Sequence, residues 1–192
     1  MEKVALAKAR INEKKTTKIS IVRYGNVMLS RGSVVPLFIN QIKNKKDITV
    51  TNENMTRFLM PLEKAIELVF VALLKKKNGS IFIHKAKSSN ILDLAKMLRK
   101  IYKSNSKIKK IGVRSGEKLH EVLATSEELQ RAKNFKDYFE IEMQGNDLNY
   151  KQYFEKGNNP KKKFDYSSEN AKRLNSLDLE SILKKEIKKD II

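Results

Sequence analysis

The chain has 192 residues, 40% of them hydrophobic, with no cysteine, and its 41 Lys and Arg against 22 Asp and Glu give a net charge of +19. That length supports one moderate core with an appendage, and apolar residues in periodic segments exclude a disordered chain. The lack of cysteine excludes disulfides and thiolate metal sites; with no apolar run of membrane-spanning length and no signal-peptide organisation at Met1-Glu2-Lys3-Val4-Ala5, the expected place is the cytoplasm, without membrane insertion.

Val4, Leu6, Ala7 and Ile11 recur at helical spacing, predicting a helix over Met1 to Lys15 that begins without a cap. The start therefore reads as falling inside an element. The β-branched run near Lys18–Arg23 predicts a strand, followed by a polar loop over Tyr24–Ser33 and a helix over Val34–Lys43. Ile48-Thr49-Val50-Thr51 alternates as a strand does, and Pro61 opens a helix with Leu62, Ala65, Ile66, Val69, Phe70, Leu73 and Leu74 expected on one core face. Ile81-Phe82-Ile83 predicts a compact strand, and Ser88-Ser89-Asn90 offers caps for a helix carrying Ile91, Leu94, Ala95, Leu98 and Ile101. A strand over Ile108–Val113 leads into the polar loop Arg114-Ser115-Gly116-Glu117-Lys118. Thr125 and Glu128 have capping-box spacing. From Asp147 the chain turns polar, Gly157 to Lys161 reads as a linker, and Leu174–Ile187 predicts a last amphipathic helix.

The lysines are spread along the chain in short groups at predicted helix ends and in loops, where cations suit the helix dipole and stay solvated. With no helix-turn-helix, zinc-ligand set or aromatic RNA-binding strand, a nucleic-acid-binding protein is the competing class rather than the expected one. His84 and His120 share no ligand spacing, so no metal is expected.

The loop after the first strand carries the chemistry. Gly25 and Gly32 let the backbone approach a ligand, Asn26 and Ser33 offer neutral hydrogen bonds, and Arg31 offers a planar cationic fork. A strand running into such a loop and then a helix is where open α/β sheets place ligands, and a phosphorylated occupant is expected.

Three collinear stretches resemble one family: Arg23-Tyr24-Gly25-Asn26-Val27 with Ser30-Arg31-Gly32-Ser33-Val34-Val35-Pro36; Ile48-Thr49-Val50-Thr51 with Met55-Thr56-Arg57-Phe58; and Gly112-Val113-Arg114-Ser115-Gly116-Glu117-Lys118. They look like the C-terminal half of bacterial UDP-N-acetylglucosamine 4,6-dehydratases, extended short-chain dehydrogenases of polysaccharide synthesis. Asp165-Tyr166-Ser167-Ser168, with Asn170 and Arg173-Leu174, looks like the tail of the capsule-type members, some of which also invert C5. Leu29 stands where a small residue is usual, and Ser115 and His120 where His and Tyr are frequent.

The resemblance implies an α/β fold: residues 1–146 as the last Rossmann units plus a nucleotide-sugar-binding lobe, and 147–192 as a C-terminal extension. It implies a UDP-sugar held by Asn26, Arg31, Ser33, Arg57, Arg114 and Glu117, with Tyr24 beside the nicotinamide of NAD(P). Arg57 reads as a bidentate diphosphate ligand or a packing arginine, Arg114 and Glu117 as diphosphate and ribose contacts or a local ion pair, and Arg31 as a phosphate ligand or a loop anchor.

The family's cofactor and proton chemistry need a glycine fingerprint and a Tyr with Lys four residues on. The seven glycines (25, 32, 79, 112, 116, 145, 157) form no such cluster, and none of the six tyrosines has Lys at that spacing. The chain accordingly reads as a C-terminal fragment, inactive alone, that needs a separately encoded N-terminal half and joins a homo-oligomer in the complete enzyme. The competing reaction is that of a UDP-glucose 4-epimerase.

Overall fold

The computed structural model describes residues 1–11, 16–143 and 164–189, and the chain divides into two units. In chain order the elements are α1 (Glu2–Ile11), β1 (Ile21–Arg23), β2 (Asn26–Val27), α2 (Val34–Lys43), β3 (Ile48–Val50), β4 (Thr56–Met60), α3 (Leu62–Lys75), β5 (Ile81–His84), β6 (Lys87–Asn90) and α4 (Ile91–Ile101). They continue with β7 (Ile108–Lys110), β8 (Val122–Ala124), α5 (Ser126–Gln130), β9 (Ala132–Asn134), β10 (Tyr138–Ile141), β11 (Tyr166–Ser167) and α6 (Ser176–Lys189). Among the described residues no helix is long and apolar enough to cross a membrane.

The first unit (1–23, 67–85, 123–166) is built on a mixed sheet in the order β1-β5-β10-β9. Strand β5 pairs parallel with β1 and antiparallel with β10, and it is buried on both faces. Alternation decides which neighbour each side chain meets. Ile81 and Ile83 pack with Ala124, Leu129 and Ile141, whereas Phe82 packs with Leu68 and Ala72 of α3.

Arg23 at the end of β1 ties this unit together. Its guanidinium donates to Glu2 of α1, to both carboxylate oxygens of Glu128 (2.8 Å each) and to the Leu123 carbonyl (3.0 Å). Glu128 also closes the Thr125 capping box, accepting the Thr125 N–H at 3.0 Å. The hydrogen bonds from Arg23, then the one from Thr125, hold the Glu128 carboxyl below the usual carboxylate range.

The second unit (24–66, 86–122, 167–192) contains the three-stranded sheet β2-β4-β6 and the parallel pair β3-β7. Its core joins Val35, Phe38, Ile39 and Ile42 of α2, Ile48 and Val50 of β3, Leu94 and Leu98 of α4, and Leu179 and Leu183 of α6. Helix α4 starts where the sequence predicts, with Asn90 Oδ1 accepting the Leu92 N–H at 2.7 Å. Gly25 lies against Phe58 of β4 so closely that an added Cβ would sit 2.3 Å from the phenylalanine Cβ.

The α/β class expected from the sequence holds, with several corrections. The strand expected over Lys18–Arg23 is confined to β1, that over Ile108–Val113 ends at Lys110, and the loop over Tyr24–Ser33 contains β2. The last helix begins at Ser176 rather than Leu174. Arg57 sits in β4, a strand that the sequence does not predict. The single core face expected of α3 is also wrong: Ala65, Leu68 and Ala72 are buried, whereas Leu62, Ile66, Val69, Phe70 and Leu73 are 45–65% exposed. Apolar residues surround more of this helix than one packing contact can cover, and the side carrying two alanines permits the closest approach. The predicted segments over 12–15, 147–163 and 190–192 lie outside the described residues.

Two outcomes are expected. Glu128→Gln should cost about 1–3 kcal/mol at neutral pH, because Arg23 loses its charged partner. Since the Glu128 pKa is depressed in the folded state, this stabilisation is full above the unfolded carboxylate pKa and is lost as pH falls through the folded one. Thermal midpoints of the unsubstituted chain should therefore fall faster than those of Glu128→Gln below about pH 4.5, and parallel curves would remove the network from the account. Gly25→Ala should destabilise by about 1–3 kcal/mol in chemical denaturation, by forcing β2 away from Phe58; an unchanged midpoint would contradict the close approach.

Candidate functional site

A partly open cavity of about 290 Å³ lies within the second unit. Its lining includes Asn26 from β2, Ser33 and Val34 at the start of α2, Thr49 and Thr51 of the β3 segment, Arg57 of β4, and Arg114 and Glu117 of the loop after β7. Phe38, Met55, Leu59 and Ile91 form its apolar wall. The cavity thus brings together five of the residues singled out from sequence: Asn26, Ser33, Arg57, Arg114 and Glu117. Arg31 and Tyr24 lie outside its lining, both exposed.

Ser33 occupies the N-cap position of α2 yet makes no capping bond, and its Oγ is buried without a hydrogen-bond partner. The first intrahelical bond after it is from Leu37 N–H to Ser33 C=O, so the N–H groups of Val34 and Val35 precede the helical ladder and Pro36 has none. One buried hydroxyl, two first-turn amides and the positive end of a ten-residue helix form a setting for an anion. Leu29, four residues earlier in the same loop, has φ +61°, a left-handed conformation that explains why a small residue suits the position.

The two arginines differ. Arg114 is exposed, and among the described residues no hydrogen bond or ion pair engages its guanidinium. The turn that carries it is closed by Glu117, whose N–H donates to the Arg114 carbonyl at 3.1 Å and whose carboxylate accepts the Arg114 N–H at 3.3 Å. Gly116, at φ +79°, supplies the left-handed residue of that turn. Glu117 thus grips the Arg114 backbone and leaves the guanidinium free.

Arg57 is mostly committed. Its Nη1 donates to the carbonyls of Thr56 (2.7 Å) and Leu119 (3.2 Å), Nη2 donates to the Lys118 carbonyl (2.8 Å), and Nε lies 3.6 Å from Glu121. One N–H of Nη2 remains for a ligand, so in this arrangement Arg57 offers a single donor rather than a fork.

Thr49 and Thr51 were legible only as the polar half of an alternating strand. Their apolar partners Ile48 and Val50 are core, which places the threonines on the cavity side. Gln41 of α2 fixes Thr49 from two directions, donating to its Oγ1 at 2.8 Å and accepting its N–H at 3.1 Å. His120 bonds to Thr56 Oγ1 at 2.8 Å, and among the described residues no cluster of His, Asp or Glu has the makings of a metal site.

The described residues do not form a dinucleotide cradle. The turn after β1 is Tyr24-Gly25-Asn26, its glycine packed against Phe58 instead of opening onto a helix N-terminus. Tyr24, expected beside a nicotinamide, is 42% exposed.

Residues 1–143 match the family model described as polysaccharide biosynthesis protein, and residues 145–186 match the model for the C-terminal region of such proteins. A UDP-glucose 4-epimerase of Rickettsia bellii is 49% identical over 187 residues, which are 95% of this chain and 54% of that protein. The chain thus spans about half the length of the curated relatives it matches. Among solved structures, Pen from Bacillus thuringiensis superposes with a TM-score of 0.82 at 33% identity, over 96% of this chain and 54% of that one. The dTDP-glucose 4,6-dehydratase of Bacillus anthracis shares the fold, with a TM-score of 0.51 at 12% identity over 59% of this chain and 37% of that one. The chain belongs to the polysaccharide biosynthesis protein family, a family of nucleotide-sugar epimerases and dehydratases.

Proposed function

We propose that this chain supplies the nucleotide-sugar-binding part of a UDP-hexose epimerase or dehydratase of polysaccharide synthesis. The observation that carries this reading is the Ser33 hydroxyl, unpartnered among the described residues, at the open start of α2, in the lining of a cavity that also includes Arg114, whose guanidinium is unpaired among the described residues. A diphosphate placed there accepts from Ser33 Oγ and the Val34 and Val35 amides, with Arg114 and Asn26 closing over it and one Arg57 N–H adding a donor. Glu117 is an acceptor suited to ribose hydroxyls, and Thr49, held by Gln41, offers hydrogen bonds further along the cavity. Arg31 reaches a second phosphate only if its loop moves inward.

Two reactions compete. The curated relatives carry the name UDP-glucose 4-epimerase, which favours inversion at C4. The three collinear motifs and the Asp165–Leu174 tail resemble the UDP-N-acetylglucosamine 4,6-dehydratases, in which water is lost across C5–C6. NAD(P) supplies the hydride chemistry in either case, and residues outside this chain would hold most of it. The partner expected is therefore a segment bearing the glycine fingerprint and Tyr-x-x-x-Lys. Strand β1 offers it a place, since among the described residues it stands at the edge of its sheet with a parallel neighbour on one side only.

Arg114→Ala should weaken UDP binding roughly tenfold to hundredfold, the worth of a charge-assisted phosphate contact of about 1.5–3 kcal/mol. Calorimetry on the two proteins reads this directly, and equal affinities would take Arg114 out of the site. The chain alone, incubated with NAD(P) and UDP-N-acetylglucosamine or UDP-glucose, should form no product. Co-expressed with the N-terminal half of a relative, it should form either a C4 epimer or a 4-keto-6-deoxy sugar, and the product identifies the reaction. Turnover by the isolated chain, or none by the pair, would overturn the division of labour.

A further inference from the structure

The loop that carries Arg114 and Glu117 is exposed, and what holds its downstream end is a buried pair of hydroxyls, Thr56 of β4 and Ser168 of the C-terminal segment. Upstream, the loop is anchored on β3 by the Ile111 N–H to the Val50 carbonyl at 3.0 Å. Downstream, Thr56 N–H and Arg57 take the carbonyls of residues 118 and 119. The next anchor is Glu121, whose main chain is clasped twice by one residue: Ser168 N–H donates to its carbonyl at 2.7 Å, and Ser168 Oγ accepts its N–H at 2.9 Å.

Ser168 has 0% exposure and Thr56 1%, so these bonds are formed away from water. Ser168 Oγ also donates to the Thr56 carbonyl at 3.0 Å and lies 2.7 Å from Thr56 Oγ1, which in turn lies 2.8 Å from His120 Nδ1. Counting protons orders the relay. Ser168 has one hydroxyl proton, committed to the Thr56 carbonyl. The proton between the two hydroxyls must then come from Thr56, which leaves Thr56 Oγ1 as the acceptor and His120 Nδ1–H as the donor.

The Thr56 carbonyl receives both Ser168 Oγ and Arg57 Nη1, so the serine and the arginine that holds the loop share one acceptor. Residues beyond Ser168 are themselves fixed on β6: Ser88 N–H donates to the Lys172 carbonyl at 3.0 Å and Leu174 N–H to the Ser88 carbonyl at 2.8 Å.

We propose that Ser168 and Thr56 are positioning residues through which the C-terminal segment holds the Arg114–Glu117 turn in its ligand-binding geometry. The structural half of this claim concerns the order of the turn; its consequence for UDP affinity rests on the function proposed above. The segment acts as a strap whose Ser168 hydroxyl, with that of Thr56, replaces water at the base of an otherwise weakly anchored loop.

The test uses the full chain with Thr56→Val, which deletes the hydroxyl at nearly constant volume, Ser168→Ala from the other side of the relay, and Thr56→Ser as the conservative control. Amide hydrogen exchange over residues 112–121 should quicken about tenfold in the first two variants while amides of β5 are unchanged, and Thr56→Ser should restore slow exchange. UDP affinity measured by calorimetry should fall by about tenfold in parallel. Unchanged exchange in the loop despite a lower thermal midpoint would overturn the proposal, leaving the hydroxyls a purely structural role. If the loop responds but the unsubstituted chain binds no UDP, the nucleotide reading fails and the positioning role stands. Nitrogen NMR of the unsubstituted chain, which needs no variant to fold, should find His120 protonated at Nδ1; a bare Nδ1 would overturn the relay.

Discussion

Strand β4 works on two faces at once, and the arrangement of the second unit depends on that alternation. Thr56 and Phe58 point one way, into the hydroxyl cluster and against Gly25, while Arg57 between them points to the cavity and the 118–119 carbonyls. A shift of one residue in the pairing of β4 with β6 would exchange these faces, turning the guanidinium toward Gly25 and the phenylalanine toward the cavity. The register Arg57↔Ser89 is therefore the constraint that sets the cavity wall, the loop anchors and the approach of Gly25 together.

Elements that rest on local signals were legible in the sequence. The Asn90 cap, the Thr125–Glu128 box and the compact strand at Ile81–Ile83 each follow from a few neighbouring residues, and each is present. Elements that rest on distant partners were not. Strand β4 reads as a polar break because Arg57 interrupts its apolar run, and only pairing with β2 and β6 makes it a strand. Strands β9 and β10, which the sequence reading did not anticipate, are recruited to the sheet by β5. The same division holds in the site. Residue types suited to phosphate were visible at Ser33 and Arg114, but that Arg57 spends two of its donors on carbonyls 61 and 62 positions away could not be read from spacing.

The lysine excess has a structural side as well. Lys77 pairs with Glu140, which is 0% exposed, and with Glu142; Lys87 pairs with Asp178, Lys100 and Lys184 share Glu180, and Lys189 joins Glu63 to Glu186. Lys100 and Lys184 together hold the Glu180 carboxyl down to about 2. Within the second unit these pairs link α6 to β6 and α4, so part of the positive charge serves attachment of the last helix, each pair modestly because it is solvent-exposed.

Helix α3 has a consequence of a different kind. With alanines on its buried side and Leu62, Ile66, Val69, Phe70 and Leu73 on another, it is apolar around most of its circumference. Attraction between such stripes grows with temperature over the range in which apolar hydration is entropic, while the many like charges of the surface repel and are screened by salt. Self-association of the purified chain should therefore follow an inverted thermal course, clear solutions when cold and at low ionic strength, clouding when warmed or salted. Its handling in the laboratory would then resemble that of a charged block copolymer more than that of an ordinary basic protein.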